Sequence, residues 1–145
     1  MHNLATLEPV DYLIIGHITQ DITTGGLVLG GTATYSSLCA LSLGLRVGII
    51  TACNPDLDLS IFKGAQISLT ESEYTTTFKN VNTPSGRVQH IYHHAPVLNA
   101  DMIPEAWRKT PIVHLGPIAH ELDPDLAKEF PDSKIGITPQ GWLRG

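Results

Sequence analysis

Apolar residues fall in short blocks separated by glycine and polar turns, and the spacing inside each block sorts the elements. "DYLIIG", residues 11–16, is a short apolar run closed by glycine, as a buried strand would be. "HITQDITTGGLVLGG" follows, polar and glycine-rich, with an apolar island at Leu27–Leu29. It predicts a loop with a short strand inside it. From Thr32 to Leu43 the apolar residues Ala33, Leu38, Cys39, Leu41 and Leu43 predict a helix, with Gly44 as the left-handed residue that ends it. "LRVGIITAC" predicts a second buried strand. Strand, helix and strand in this order form a βαβ unit with a right-handed crossover.

The middle of the chain changes character. "AQISLT" alternates, and "YTTTFKNV" and "GRVQHIYHH" follow with "NTPSG" between them. Thr, Phe, Val, Ile and Tyr favour strands, and Asn-Thr-Pro-Ser-Gly is turn chemistry, so an antiparallel hairpin is predicted. It would carry Phe78 and Tyr92 on surfaces that cover something. The simplest account is a β appendage on an α/β core. The tail returns to α/β rhythm: "DMIPEAW" predicts a short helix and "PIVHLG" a strand. "LDPDLAKEF" predicts a helix opening after Asp123 with Pro124 in its first turn, and "KIGIT" one more strand. The sequence then stops at "PQGWLRG", where an α/β fold would send the chain into its next helix.

Composition narrows the class. A chain of 145 residues suits one domain with a real core, and with 42% hydrophobic against 16% charged residues disorder is not expected. The apolar stretches are far shorter than the roughly 20 residues that span a bilayer. The first ten residues lack a basic flank and a long apolar core, so neither membrane insertion nor a signal peptide is expected. Net charge is −5, and of the nine Lys and Arg only Arg108 and Lys109 are adjacent, so no basic face for nucleic acid is expected. Cys39 and Cys53 lie in apolar segments without CxxC spacing. They read as buried thiols in a reducing compartment, which points to the cytoplasm.

In open α/β sheets, ligands bind beyond the carboxyl ends of strands. "GHITQD" and "GGTATY" both lie at such ends, and together they predict a small polar pocket. Asp21 would accept hydrogen bonds from hydroxyls. Gly30 and Gly31, lacking Cβ atoms, would let backbone N–H groups touch a ligand. Thr32 or Thr34 would cap the helix and offer a hydroxyl. Taken singly, a Gly-Gly pair is a turn and Asp21 a solvated loop acid. There is no GxGxxG after the first strand, no GxxxxGK[ST] and no GxSxG around Ser36 or Ser37. Of the seven histidines, His90, His93 and His94 cluster, but His90 and His93 face opposite sides of a strand. No acidic or cysteine partner stands at ligand spacing, so no metal site is expected. His114 and His120 flank a strand end, where a hydrogen-bonded structural role is expected, and Trp107 and Trp142 are expected to pack.

"DYLIIGHITQD" and "LGGTATYSSLCALSLGLRVGIITAC" resemble the amino-terminal half of ribokinase-like (PfkB-type) carbohydrate kinases. "YTTTFKNVNTPSGRVQHIYHHAPVL" resembles the β lid that such enzymes place over the sugar, and "IVHLGPI" a core strand. The resemblance spans nearly the whole chain. It implies a partial ribokinase-like three-layer α/β core over residues 1–145, with lid strands within about 22–30 and 66–95. It also implies an ATP-dependent phosphotransferase, using Mg2+, that acts on a sugar, nucleoside or similar alcohol. Asp21 matches the acid that holds substrate hydroxyls, and Gly30 and Gly31 the glycines bordering the sugar. Thr32 stands where some members have lysine and Tyr35 where some have asparagine, which leaves the substrate open. Family members are about twice as long, and their second half brings a Gly-Ala-Gly-Asp stretch with the catalytic base. No such stretch occurs here. The expectation is a substrate-binding half with no catalytic residue of its own, inactive alone; the alternative is a non-catalytic binding or assembly module of the same shape. Homo-oligomers are expected, through an exposed sheet edge or lid-to-lid pairing.

Overall fold

The computed structural model describes residues 6–144. Two sheets organise them. The larger has five parallel strands in the order β5-β4-β1-β8-β9: β1 (Tyr12–Ile15), β4 (Val47–Cys53), β5 (Gln66–Glu71), β8 (Ile112–Leu115) and β9 (Lys134–Ile137). The smaller has the order β3-β2-β6-β7: β2 (Thr19–Thr23), β3 (Gly26–Gly30), β6 (Thr77–Thr83) and β7 (Gly86–His93). Its β2–β3 and β6–β7 pairs are antiparallel hairpins, joined by a parallel β2–β6 pairing.

The central strands are apolar on both faces because both faces are covered. All seven residues of β4 are buried. Alternation along β1 sends Leu13 and Ile15 into a core with Val113, Leu115, Trp107, Leu98 and Phe130. Ile14 goes to the other face, with Ile49, Val47, Ala33, Ala40 and Phe62. On that second face lies helix α1 (Thr32–Ser42). Its end follows from Gly44: at φ 80° the glycine donates to Leu41 O, and Leu45 N–H donates to Ala40 O at 3.2 Å, the paired bonds of a Schellman stop. A second helix, α2 (Gln140–Leu143), is a single turn packed so closely that a Cβ on Gly141 would lie 2.3 Å from Ile118 N.

Several expectations are corrected. "AQISLT" is not part of the lid: β5 pairs in parallel with β4 at the edge of the core sheet. The lid begins earlier than expected, at Thr19, and its first hairpin is β2–β3. "DMIPEAW" and "LDPDLAKEF" form 3-10 turns at Ala100–Met102, Glu105–Trp107 and Pro124–Glu129 instead of α-helices. Prolines 96, 104, 111, 117, 124 and 131 punctuate this region and remove the donors that a long helix needs. Asp123 does start its turn as expected, accepting from Asp125 N–H. Cys53 is buried, and its thiol is pushed up to about 11 by desolvation, but Cys39 is exposed on α1.

Trp107 anchors the face covered mainly by 3-10 turns and the single turn of α2. It is fully buried, donates its indole N–H to Glu8 O at 2.9 Å, and lies against Gly48, where a Cβ would come within 3.1 Å of the ring. Trp107→Ala should therefore cost about 3–5 kcal/mol of unfolding free energy in urea denaturation. A loss below about 1 kcal/mol would show that the irregular layer is not part of the cooperative core.

Candidate functional site

The two sheets meet at the carboxyl end of β1. The chain leaves β1 through Gly16 and His17 and enters the lid at Thr19. A Cβ on Gly16 would lie 2.5 Å from Gly116 O, and a Cβ on Gly116 would lie 2.9 Å from Thr32 Cγ2. These two bare positions let the ends of β1 and β8 and the start of α1 converge. Between that convergence and the inner face of the lid lies an open cavity of about 390 Å3, a size suited to a small ligand.

Alternation along β2 turns Thr19 and Asp21 into the cavity and Gln20 towards the opposite side of the lid. β6 contributes Phe78 and Asn80, and β7 contributes Arg87 and Gln89, with Gln89 Nε2 donating to Asn80 Oδ1 at 2.9 Å. The core side supplies Gly31, Thr32, Tyr35 and Ser36 from the start of α1, His114 from β8, and Ile118, Thr138, Gln140 and Arg144. Asp21 thus shares one hollow with Gly31, Thr32, Tyr35 and Phe78.

Gly30 and Gly31 have different jobs from the one anticipated. A Cβ on Gly30 would lie 2.5 Å from Asp21 Oδ2 and 3.2 Å from Thr19 Oγ1. Residue 30 is bare so that the acid can sit beside it; Gly30 itself does not line the cavity. Gly31 does line it, but at φ 88° with its missing Cβ 2.8 Å from His17 O, so its glycine identity is set by the turn from β3 into α1. Neither threonine caps the helix: Gly31 is the N-cap residue, without a side-chain bond. Thr34 is buried, donates its hydroxyl to Gly30 O at 2.7 Å, and is absent from the cavity lining. Thr32 faces the cavity and accepts from Gln140 Nε2 at 3.2 Å. Tyr92 is exposed and also outside the lining, because β7 alternation that brings Arg87 and Gln89 inward turns it out.

Sequence reading missed Thr19. It is 1% exposed and lines the cavity, and its Oγ1 is the one buried side-chain polar atom among the described residues without a hydrogen-bond partner. Such an orphan ordinarily costs about 1–3 kcal/mol, which a ligand hydroxyl would recover. No spacing rule singles out one threonine in a Thr-rich strand. Burial holds the Asp21 carboxyl above its ordinary range, opposed by the positive charges of Arg87 and Arg144. Burial likewise pushes the His114 imidazole down. His114 is hydrogen-bonded through Nδ1 to Tyr12 OH at 2.6 Å and through Nε2 to Thr138 Oγ1, which fixes the cavity floor. His120 is exposed, bonded to Arg144 O and outside the lining. Among the described residues no three His, Cys, Asp or Glu side chains gather as a metal would require. No helix among them is long and apolar enough to cross a membrane.

No family model and no curated protein matches the sequence. Solved structures do match the fold. A pyrophosphate-dependent kinase in the ribokinase family, complexed with a pyrophosphate analog and myo-inositol, superposes with a TM-score of 0.73 at 19% identity. That match covers 92% of this chain and 50% of the other. A second, a sulfate complex of a pyrophosphate-dependent kinase in the same family, gives 0.66 at 24% identity, with 90% and 50% covered. Ribokinase from Arabidopsis thaliana, complexed with ribose and ATP, gives 0.58 at 13% identity, with 90% and 53% covered.

The chain has the ribokinase-like fold. It spans about half the length of these ribokinase-type kinases, and in it the five-stranded sheet is the core and the four-stranded sheet the lid.

The two glycines should separate binding from folding. Gly30→Ala should displace the Asp21 carboxylate while leaving the melting temperature within a few degrees of wild type, because the atom it meets is the end of a movable side chain. Gly31→Ala meets backbone and a disfavoured φ, and should cost about 1–3 kcal/mol. Equal melting temperatures for the two variants would contradict this division.

Proposed function

We propose that this chain forms the acceptor-binding half of a ribokinase-type phosphotransferase whose substrate is a polyhydroxy compound: a sugar, nucleoside or related alcohol. The observation that carries the reading is the pairing of Asp21 with the orphaned Thr19 hydroxyl on adjacent inward positions of β2. An ionised carboxylate accepts from two neighbouring hydroxyls at once, and a hydroxyl so held binds more strongly than one held by a neutral group. Thr19 Oγ1 would bond a third substrate oxygen, and Phe78 would cover the ring from the lid. The fold match supports the class, since the neighbours that share it are described with myo-inositol or with ribose.

In the resembled kinases the acceptor hydroxyl attacks a terminal phosphoryl group, and an aspartate removes the hydroxyl proton. ATP with Mg2+ is the donor this reading implies. The cavity residues fit an acceptor and not the metal, because Asp21 has no second carboxylate beside it and no three-ligand cluster exists among the described residues. What the residues here would do is bind and orient the alcohol; no Gly-Ala-Gly-Asp stretch is present to supply the base. Positioning contributes a large part of phosphoryl-transfer catalysis but cannot replace that base.

The 145-residue chain should bind a polyol and show no phosphoryl transfer from ATP or pyrophosphate in a coupled assay. Turnover by this chain alone would refute the half-site reading. In calorimetric titration Asp21→Asn should weaken polyol binding roughly tenfold or more, about 1.5–3 kcal/mol for a hydrogen bond to a charged group. Equal affinity for wild type and variant would remove Asp21 from the site. Binding needs the carboxylate ionised, and burial raises its pKa. Affinity should therefore be full at neutral pH and fall on acidification at a pH above the ordinary aspartate range.

A further inference from the structure

The cavity carries more positive charge than a neutral polyol needs. Arg87 enters it from β7 in the lid and Arg144 from beyond α2, so the two guanidiniums approach from opposite walls. Neither has a carboxylate within 4.0 Å among the described residues, whose ion pairs are Asp11–Arg46, Glu105–Arg108, Glu129–Arg108 and Asp125–Lys128. Asp21 is the one acid in the lining, against these two cations. The whole chain, by contrast, carries −5. A locally positive hollow on an acidic protein is an arrangement that favours an anionic guest.

Arg144 is also held ready. Its Nη1 donates to Ile118 O at 2.6 Å, and its guanidinium lies 5.1 Å from the centre of the Phe78 ring, which leaves Nε and Nη2 for another partner. It is close enough to Arg87 to feel that like charge, and this, after burial, pushes its pKa down. The uncapped start of α1, with no acid in its first turn, adds its partial positive charge at Gly31 and Thr32. The like charges of Arg87 and Arg144 are offset by the Asp21 carboxylate in the lining and, for Arg144, by the buried Glu121. The Glu121 carboxylate is already engaged by the backbone N–H groups of His17, Ile118 and Ala119. An anion seated between the two guanidiniums would relieve their repulsion. Guanidiniums suit the oxygen pairs of phosphate and carboxylate equally.

We propose that the acceptor bound here is itself anionic, a polyol carrying a phosphate or carboxylate group, with its hydroxyls on Asp21 and Thr19 and its charged group between Arg87 and Arg144. This rests on the polyol reading above and narrows it.

Calorimetric titration of the full 145-residue chain with matched compounds tests it: D-glucose, D-glucose 6-phosphate and D-glucuronate, with D-ribose and D-ribose 5-phosphate, and inorganic phosphate alone. At least one anionic compound should bind tenfold or more tighter than its neutral partner. The advantage should shrink severalfold in Arg87→Gln, whose exposed side chain makes no fold-supporting ion pair, and should persist in Lys79→Gln, which removes a charge from the outward face of β6. A phosphate ester that outbinds glucuronate names phosphate as the group, and the reverse order names carboxylate. Equal binding of neutral and charged partners, or an advantage untouched by Arg87→Gln, overturns the proposal while leaving the polyol site standing. Inorganic phosphate binding as tightly as the esters also overturns it, since the anion would then be unconnected to the hydroxyls. Binding of no compound by wild type overturns both readings.

Discussion

The site depends on one close approach: the Asp21 carboxylate occupies the space that a Cβ of residue 30 would fill. Because β2 and β3 are paired with Thr19 opposite Gly30, the strand that carries the acid and the strand that leads into α1 are locked in register. Gly30 then admits the acid and Gly31 turns the chain over His17 O into the helix. Each step fixes the next. A larger residue at position 30 would leave the fold in place and move the one carboxylate that faces the hollow.

The seam between lid and core is held by polar groups that are satisfied internally. His17 is 1% exposed; its Nε2 lies 2.8 Å from Pro96 O and must donate to it, so Nδ1 accepts from the Thr76 hydroxyl at 2.8 Å. Burial, the largest influence on this imidazole, favours the neutral form that the tautomer requires. Thr76 Oγ1 in turn accepts from Ala95 N–H, and the buried Glu121 carboxylate accepts from His17, Ile118 and Ala119 N–H groups. These bonds tie the β1–β2 turn, the start of β6 and the loop after β8 to one point below the cavity. With that many buried donors paired, the unpaired Thr19 hydroxyl just above them stands out as a group built for something else.

Much of this was legible in the sequence because the informative features are local. Gly44 marks the end of α1, "VGIITAC" a doubly covered strand, and "NTPSG" the β6–β7 turn with Gly86 at φ 128°. Asp21 and Thr32 stand out in the sequence because they follow the apolar run of β1 and open α1, Tyr35 through the family resemblance and Phe78 through the strand pattern of the hairpin; all four line the cavity. What was not legible is long-range. "AQISLT" alternates like a half-covered lid strand, and it does lie half-buried, but at the edge of the core sheet. The inward turn of Thr19, Arg87 and Arg144 depends on how two sheets face each other, which no spacing along the chain encodes. Thr34 differs from its expected role for a related reason: its hydroxyl is consumed four residues back at Gly30 O.

Thr19 and Asp21 on the lid and Gly31 and Thr32 on the core line one cavity across the seam, and under the polyol reading they would hold one ligand together. Amide chemical-shift mapping of the isotope-labelled chain, titrated with polyols and their phosphate esters, tests it most directly. Shifts should concentrate at Thr19, Asp21, Gly31, Thr32 and Phe78 and move together with a single dissociation constant. Shifts confined to the outer lid face around Leu27–Leu29, or separate constants for the lid and core residues, would contradict it.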